Sequence, residues 1–449
     1  MKPWLVGAAS LVITGSMIAG SMISGVGASG ASVPVPHATQ PLSTVRSFSN
    51  SAFQWNGGMA LVGSDLWIVN DSLGSLVEVS TSNGSIIRTL PEFTFPAPCD
   101  VAYDGTNLWV TSCGGSSVSE VDPTTGTVTQ VLSGGSYGFA HPTAIVCSSA
   151  DCWVANANDP DESITEFSTA DGSWVRTLTG SAYGFGFQQN VPNMTLSGDA
   201  LWVANSRLSS VDEIQASTGS LVRQIVGSGY GLKYPQAVSV DGPDVWIVNG
   251  TVTADAAIEV AASSGKLIRK IGPAVASHGV PLNVLASGAV VWLVFWNQGV
   301  IEELNALDGL PIRTFEAPSN PIHYAFPGPW SLVRVGSSIW ASNDDFSGIL
   351  GEVTGGLIRS SIRVTPSPRT VRFGHAVTLI ATGLALGATG TIRFASRRRT
   401  LCATDVVDGH ARCATSSHLA SGTYVVVASY GGDSNFTGSS GTTRFAVAK

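Results

Sequence analysis

The sequence predicts an all-β protein. Two observations carry that expectation. Beyond the N-terminus no stretch keeps apolar residues at the i, i+3, i+4, i+7 spacing of a helix, and a short alternating text returns at a regular interval. The 51 glycines and 22 prolines supply turns for many short strands, and 44% hydrophobic against 12% charged residues provides for large cores. At 449 residues the chain is too long for one ordinary domain.

The N-terminus comes first. Residues 1–38 read "MKPWLVGAASLVITGSMIAGSMISGVGASGASVPVPHA", one lysine, an apolar run and then small residues. This is the pattern of an export signal followed by a polar leader, with cleavage expected near residues 28–31. An uncleaved anchor is the alternative, since residues 4–26 are nearly long enough to span a bilayer. Both place the body outside the cytoplasm, secreted or at the cell surface.

The repeat follows. "LWIVNDSLGSLVEVSTSNGSIIRTL" opens at Leu66, and variants of it open at Cys152, Leu201 and Val245. Its tryptophan recurs as Trp67, Trp109, Trp153, Trp202, Trp246, Trp292 and Trp340. A period in the forties with several short strands per unit is the signature of a propeller blade, and seven copies make seven blades. One unit reads as strand A (Ala237–Val240), strand B ("VWIVN"), strand C ("AIEVA") and strand D ("KLIRKI"), with "STG", "TTG" or "SSG" turning C into D. The seventh copy is short, and "STVRSFS" near the N-terminus matches a D strand. Residues 43–49 are therefore expected to supply the outer strand of the last blade, the alternative being that "LIRSS" closes it.

The tandem W-[IV]-x-N … G-x-[LIV]-[IVR]-R units resemble the seven-bladed propellers of the YVTN and NHL-like group over residues 43–358. That group includes binding proteins and a few lyases. After Arg359 the text changes to strands with polar turns. "SGTYVVVASYGGDSNFTGS" resembles the bacterial Ig-like repeat of surface and secreted proteins, over residues 361–449. That resemblance implies a C-terminal β-sandwich serving as spacer or tether.

Six cysteines form three local pairs, Cys99 with Cys113, Cys147 with Cys152 and Cys402 with Cys413, each bracketing an expected hairpin. This spacing predicts disulfides in an oxidising compartment, whereas zinc ligation would need paired C-x-x-C units that the chain lacks.

Charge separates the two parts. Residues 3–358 hold 28 Asp/Glu against 11 Lys/Arg, and residues 359–449 hold 11 Lys/Arg against 3 Asp/Glu. An acidic propeller does not suit a phosphate backbone, so nucleic acid is excluded as a partner. The basic C-terminal part, with "SRRRT" around Arg397–Arg399, could meet an anionic cell-envelope polymer, dock on the propeller or stay solvated.

Candidate site residues lie in the loops that ring the channel of a propeller. The D-to-A loops carry Trp55, Tyr137, Phe139, Tyr183, Phe185, Tyr230, Tyr234, Tyr324 and Trp330. The B-to-C loops carry Asn156, Asn205, Arg207 and Asn343, with the Asn70-Asp71 and Asn343-to-Asp345 stretches beside them. Aromatic plates beside amides and carboxylates suit a glycan or a protein ligand. The competing reading is that a feature shared by most blades packs the blades. His141, His278 and His323 depart from the repeat and could together hold a divalent metal, as could the oxygen-rich loop containing Asp159 and Asp161 for calcium. No other cofactor is expected, and no nucleophile motif is present.

The function this suggests is an exported, non-enzymatic binding scaffold, acting as a monomer, with the Ig-like part as spacer or envelope tether. The alternatives are a metal-assisted lyase or hydrolase like the propeller lyases, and a purely structural envelope protein.

Overall fold

A computed structural model describes residues 44–449, apart from Trp55, 159–161, 180–182, 188–193, 252–254, 273–277, Ala289, 307–308, 317–327, 345–347, 355–359, 385–387, Arg398, Asp408 and 433–435. Residues 1–43, Trp55, His323, Tyr324, Asp159 and Asp161 lie outside the described residues. Among those described there is no α-helix and there are seven four-stranded antiparallel sheets. Blade one consists of Asn56–Val62, Asp65–Asn70, Ser75–Ser80 and Ile86–Thr89, paired in that order as strands A to D. The A strand of each blade contacts that of the next, and the A strand of blade seven, Pro329–Val335, contacts that of blade one. The chain is a closed seven-bladed β-propeller.

One rung repeats in every blade. The tryptophan of strand B stands in register with a glutamate of strand C, and the glutamate with a D-strand residue. Blade one pairs Trp67, Glu78 and Arg88, and blade six Trp292, Glu303 and Arg313. Only blade two departs from arginine, with Gln130 opposite Glu120. The tryptophans are buried between sheets, where each ring removes a large apolar area from water. A carboxylate beside them needs a partner, because a buried charge without one is costly. Arg88, Arg176, Arg223, Arg269 and Arg313 supply it at 2.5–2.9 Å. Burial pushes the Glu78, Glu166, Glu213, Glu259 and Glu303 carboxyls up, and the facing guanidinium opposes the rise.

The same arginines join neighbours. Arg88, Arg176 and Arg223 each donate to a carbonyl in the C-to-D turn of the following blade, at Thr124, Ser217 and Ser263. The strand that completes blade seven is Thr44–Ser49, paired with Ile349–Thr354 from Thr44↔Thr354 to Ser49↔Ile349. It brings Arg46 to Glu352 as an ion pair, and Arg46 also donates to Ser82 O in blade one. Phe48 of this strand stacks on Trp340 at 5.1 Å. Its other neighbour is Gly84 of blade one, where φ is +71° and an added Cβ would lie 2.0 Å from the Phe48 ring. The N-terminal strand thus touches the first and last blades at once.

The C-terminal part is an Ig-like β-sandwich. Three strands (Arg363–Ser367, Thr378–Thr382, Ala411–Ala414) face five (Thr370–Arg372, Thr391–Ser396, Arg399–Asp405, Gly422–Gly432, Thr437–Ala448). Leu379, Ile392, Phe394, Val426 and Phe445 fill the space between them.

All three cysteine pairs are disulfides. Cys147 and Cys152 stand opposite each other in the A–B hairpin of blade three. Cys402 and Cys413 differ from the hairpin expectation: they belong to different sheets of the sandwich, so their bond crosses it.

Candidate functional site at the channel mouth

Antiparallel pairing of strands A and B puts the start of each A strand beside the end of each B strand. The register shows it as Asn56↔Asn70, Pro98↔Ser112, Pro142↔Asn156, Pro235↔Asn249, Pro281↔Phe295 and Pro329↔Asn343. Five blades begin strand A with proline, which suits a position where no ladder N–H is required. Blade one has Asn56 there instead. It is 1% exposed, and neither its amide nitrogen nor its amide oxygen has a hydrogen-bond partner.

Asn56 lines a cavity of about 60 Å³ together with Gly57, Asp71, Pro98, Cys99, Trp330 and Asp344. These residues come from blades one, two and seven. A space of this size holds a few waters or one small polar group. Two carboxylates, an amide with unmet capacity and an indole therefore converge on one small polar space. Burial raises the Asp71 carboxyl above its ordinary range, and the charge of nearby His141 pulls it back down. His141, in the loop leading into blade three, is not among the residues lining the cavity, and its Nδ1 is buried without a hydrogen-bond partner.

The backbone at His141 is left-handed, with φ of 54°, an arrangement L-residues adopt rarely. Ala97 (49°) and Tyr234 (50°) do the same immediately before their A-strand prolines. In each case the carbonyl accepts a backbone N–H: Ala97 O from Cys113, His141 O from Ala157 and Tyr234 O from Gly250. The strained turn belongs to the scaffold. Only the imidazole is particular to blade three.

The repeated aromatics are placed differently. Tyr137, Tyr183 and Tyr230 donate their hydroxyls to Gly172, Gly219 and Gly265 in the C-to-D turn of the blade they lead into, at 2.7, 2.7 and 3.0 Å. Phe139 stacks on Tyr137 and Phe185 on Tyr183. These rings pack one element on another; Tyr234 is exposed. The strand-B asparagines are buried and engaged. Asn156 donates to Ser163 and Thr165, Asn205 to Asp212, and Asn343 to Ile349 O. Arg207 pairs with Glu162 at 3.0 Å, joining the loops of blades three and four.

The two described histidines are not brought together. His278 lies 3.7 Å from Glu302 and edge-on to Phe295, all within blade six or its leading loop. Among the described residues no three His, Cys, Asp or Glu side chains are grouped as a metal site. Three of the candidate metal donors, His323, Asp159 and Asp161, lie outside the described residues.

Glu302 is 2% exposed, and burial pushes its carboxyl up to about 7. A raised folded pKa means the native state holds the proton more tightly than the unfolded chain. Its contribution to stability is therefore fully present below about 4.5 and is lost as pH rises through about 7. Glu302→Gln is expected to stabilise the propeller at pH 8 by about 2 kcal/mol and to change little at pH 4.5. Thermal unfolding at the two pH values measures this, and an equal shift at both would refute it.

Asn56 stands in the sequence where five of the blades place a proline.

The family model of the bacterial Ig-like domain (group 3) matches residues 364–448. No curated protein matches the chain in sequence. Among solved structures, a streptogramin B lyase is similar at a TM-score of 0.56 and 15% identity, covering 70% of this chain and 98% of the lyase. A virginiamycin B lyase from Staphylococcus aureus is similar at 0.55 and 16%, covering 70% of this chain and 99% of that one. A hydrazine synthase of Kuenenia stuttgartiensis gives 0.54 and 15%, over 68% and 97%. At this identity the likeness is one of fold alone.

Proposed function

We propose that the protein is an exported binding scaffold whose propeller holds, at its channel mouth, the ammonium group of a glycan or peptide ligand. The observation that carries this is Asn56, a buried amide with both polar atoms unpartnered, opening on a cavity with Asp71 and Asp344. An ammonium supplies donors to the amide oxygen and both carboxylates, and Trp330 adds an aromatic wall that favours cations. Buried polar atoms are ordinarily satisfied, and in a space of this size either water or a ligand group that displaces it can do so. Three disulfides and a bacterial Ig-like domain support a place outside the cytoplasm. The lyase likeness, at 15% and 16% identity, is one of fold and brings no activity with it.

Calorimetric titration of the full chain with glucosamine oligomers and a lysine-containing peptide, each beside its N-acetylated form, tests the reading. The amine forms are expected to bind and the acetylated forms to bind at least tenfold more weakly. Asp71→Asn with Asp344→Asn is expected to weaken the amine form by tenfold or more, a charge-assisted hydrogen bond contributing about 1.5–3 kcal/mol. Equal affinity for amine and acetylated ligands would sink the proposal.

A further inference from the structure

We infer that the Ig-like domain carries a cleft for the anionic sugar units of a polysaccharide, with Arg397 and Arg399 gripping the acid group and Tyr424 supporting the ring. This site is separate from the propeller mouth and does not depend on how that mouth is read.

The cleft has a volume of about 460 Å³, within the range of ligand sites and large enough for a sugar unit. It lies between the hairpin of strands Thr391–Ser396 and Arg399–Asp405 and the segment Leu419–Tyr424. Leu401 and Leu419 give it an apolar lining, Ser396 a hydroxyl and Tyr424 an aromatic side. Tyr424 is held in place: its hydroxyl donates to Ala420 O at 2.9 Å, and its ring stacks on Phe445 at 5.0 Å. A fixed ring is a suitable support for a sugar, since little freedom is lost on binding.

The charge is arranged to match. Arg397 and Arg399 are exposed, and among the described residues neither faces a carboxylate within ion-pair distance. Arg393, on the same hairpin, is engaged locally and donates to Thr400 Oγ1 at 2.7 Å. The guanidinium fork matches the two oxygens of a carboxylate or the oxygens of a sulfate.

The backbone adds an independent sign. Ser396 pairs with Arg399, so Arg397 begins a two-residue hairpin turn, and its φ is 48°. Such turns favour Asn-Gly or Asp-Gly, for which this backbone region is easily reached. The chain has arginine there instead, accepting local strain, and strain held in place beside a cleft is a mark of a functional position. A merely solvated basic surface requires no arginine at that place. The volume and single aromatic suit a sugar unit; a nucleic-acid strand is read by a row of stacking rings along a groove.

The test is binding of the full chain to polygalacturonate, dextran sulfate, neutral dextran and a single-stranded oligonucleotide at fixed ionic strength. Polygalacturonate or dextran sulfate is expected to bind and neutral dextran not to; the stronger of the two identifies carboxylate or sulfate as the acid. Arg397→Gln with Arg399→Gln is expected to weaken binding at least tenfold. The charge-matched control, Arg363→Gln with Arg412→Gln, alters two exposed arginines outside the cleft and is expected to stay within threefold. Both doubles replace exposed side chains, and matching thermal unfolding confirms that they fold. Equal losses in the two doubles, or tighter binding to the oligonucleotide than to either acidic polysaccharide, would overturn the inference.

Discussion

Deleting residues 44–49 is expected to open the propeller and lower its stability by about 5 kcal/mol or more. The strand completes blade seven, and without it Ile349–Thr354 becomes an unpaired edge. Trp340 loses the Phe48 ring that stacks on it, and Glu352, which is 5% exposed, loses Arg46. Phe48→Ala alone should cost about 2 kcal/mol, below the range for a fully buried phenylalanine because the ring is only half-buried. Arg46→Ala should cost about 2 kcal/mol, between the values for surface and buried pairs because Arg46 is 43% exposed. All 12 tryptophans precede residue 359, so their fluorescence in urea follows the propeller without the Ig-like domain. An unchanged midpoint for the deletion would show that blade seven closes without this strand.

Arg313→Ala should cost about 3–5 kcal/mol, the largest effect of any single rung. Arg313 and Glu303 are 5% and 4% exposed, and the guanidinium binds both carboxylate oxygens, at 2.6 and 3.0 Å. Removing the arginine leaves a buried charge that must stay unpaired or take up a proton. Burial already pushes the Glu303 carboxyl up. The loss should therefore be smaller at pH 5 than at pH 8, where the carboxylate stays charged. The same substitution at Arg88, whose side chain is 32% exposed, should cost less. Equal losses at the two positions would show that burial does not set the strength of these rungs.

The sequence by itself determined the architecture. Seven tryptophans at a spacing in the forties dictate seven repeated units, because a B strand buried on both faces between neighbouring sheets must bring its large residue back to the same place in each blade. The change of text after Arg359 marked the second domain just as firmly, since its strands follow a different period. The Trp–Glu–Arg rung was present in the text but not legible as a unit. Its members lie about ten residues apart, and only strand register sets Glu78 between Trp67 and Arg88.

What the tertiary structure decided was which loop residues meet. The Y-G-F aromatics and the strand-B asparagines stood out in the sequence because they repeat, and in the fold they bond to neighbouring turns and strands. Asn56, Asp71, Trp330 and Asp344 span nearly three hundred positions and share no motif. Closing the ring brings blade seven against blade one and places Trp330 and Asp344 beside Asn56 and Asp71. Periodicity along a chain records the contacts that every blade makes. A site assembled from single departures in different blades has no period, so only the closed ring reveals it.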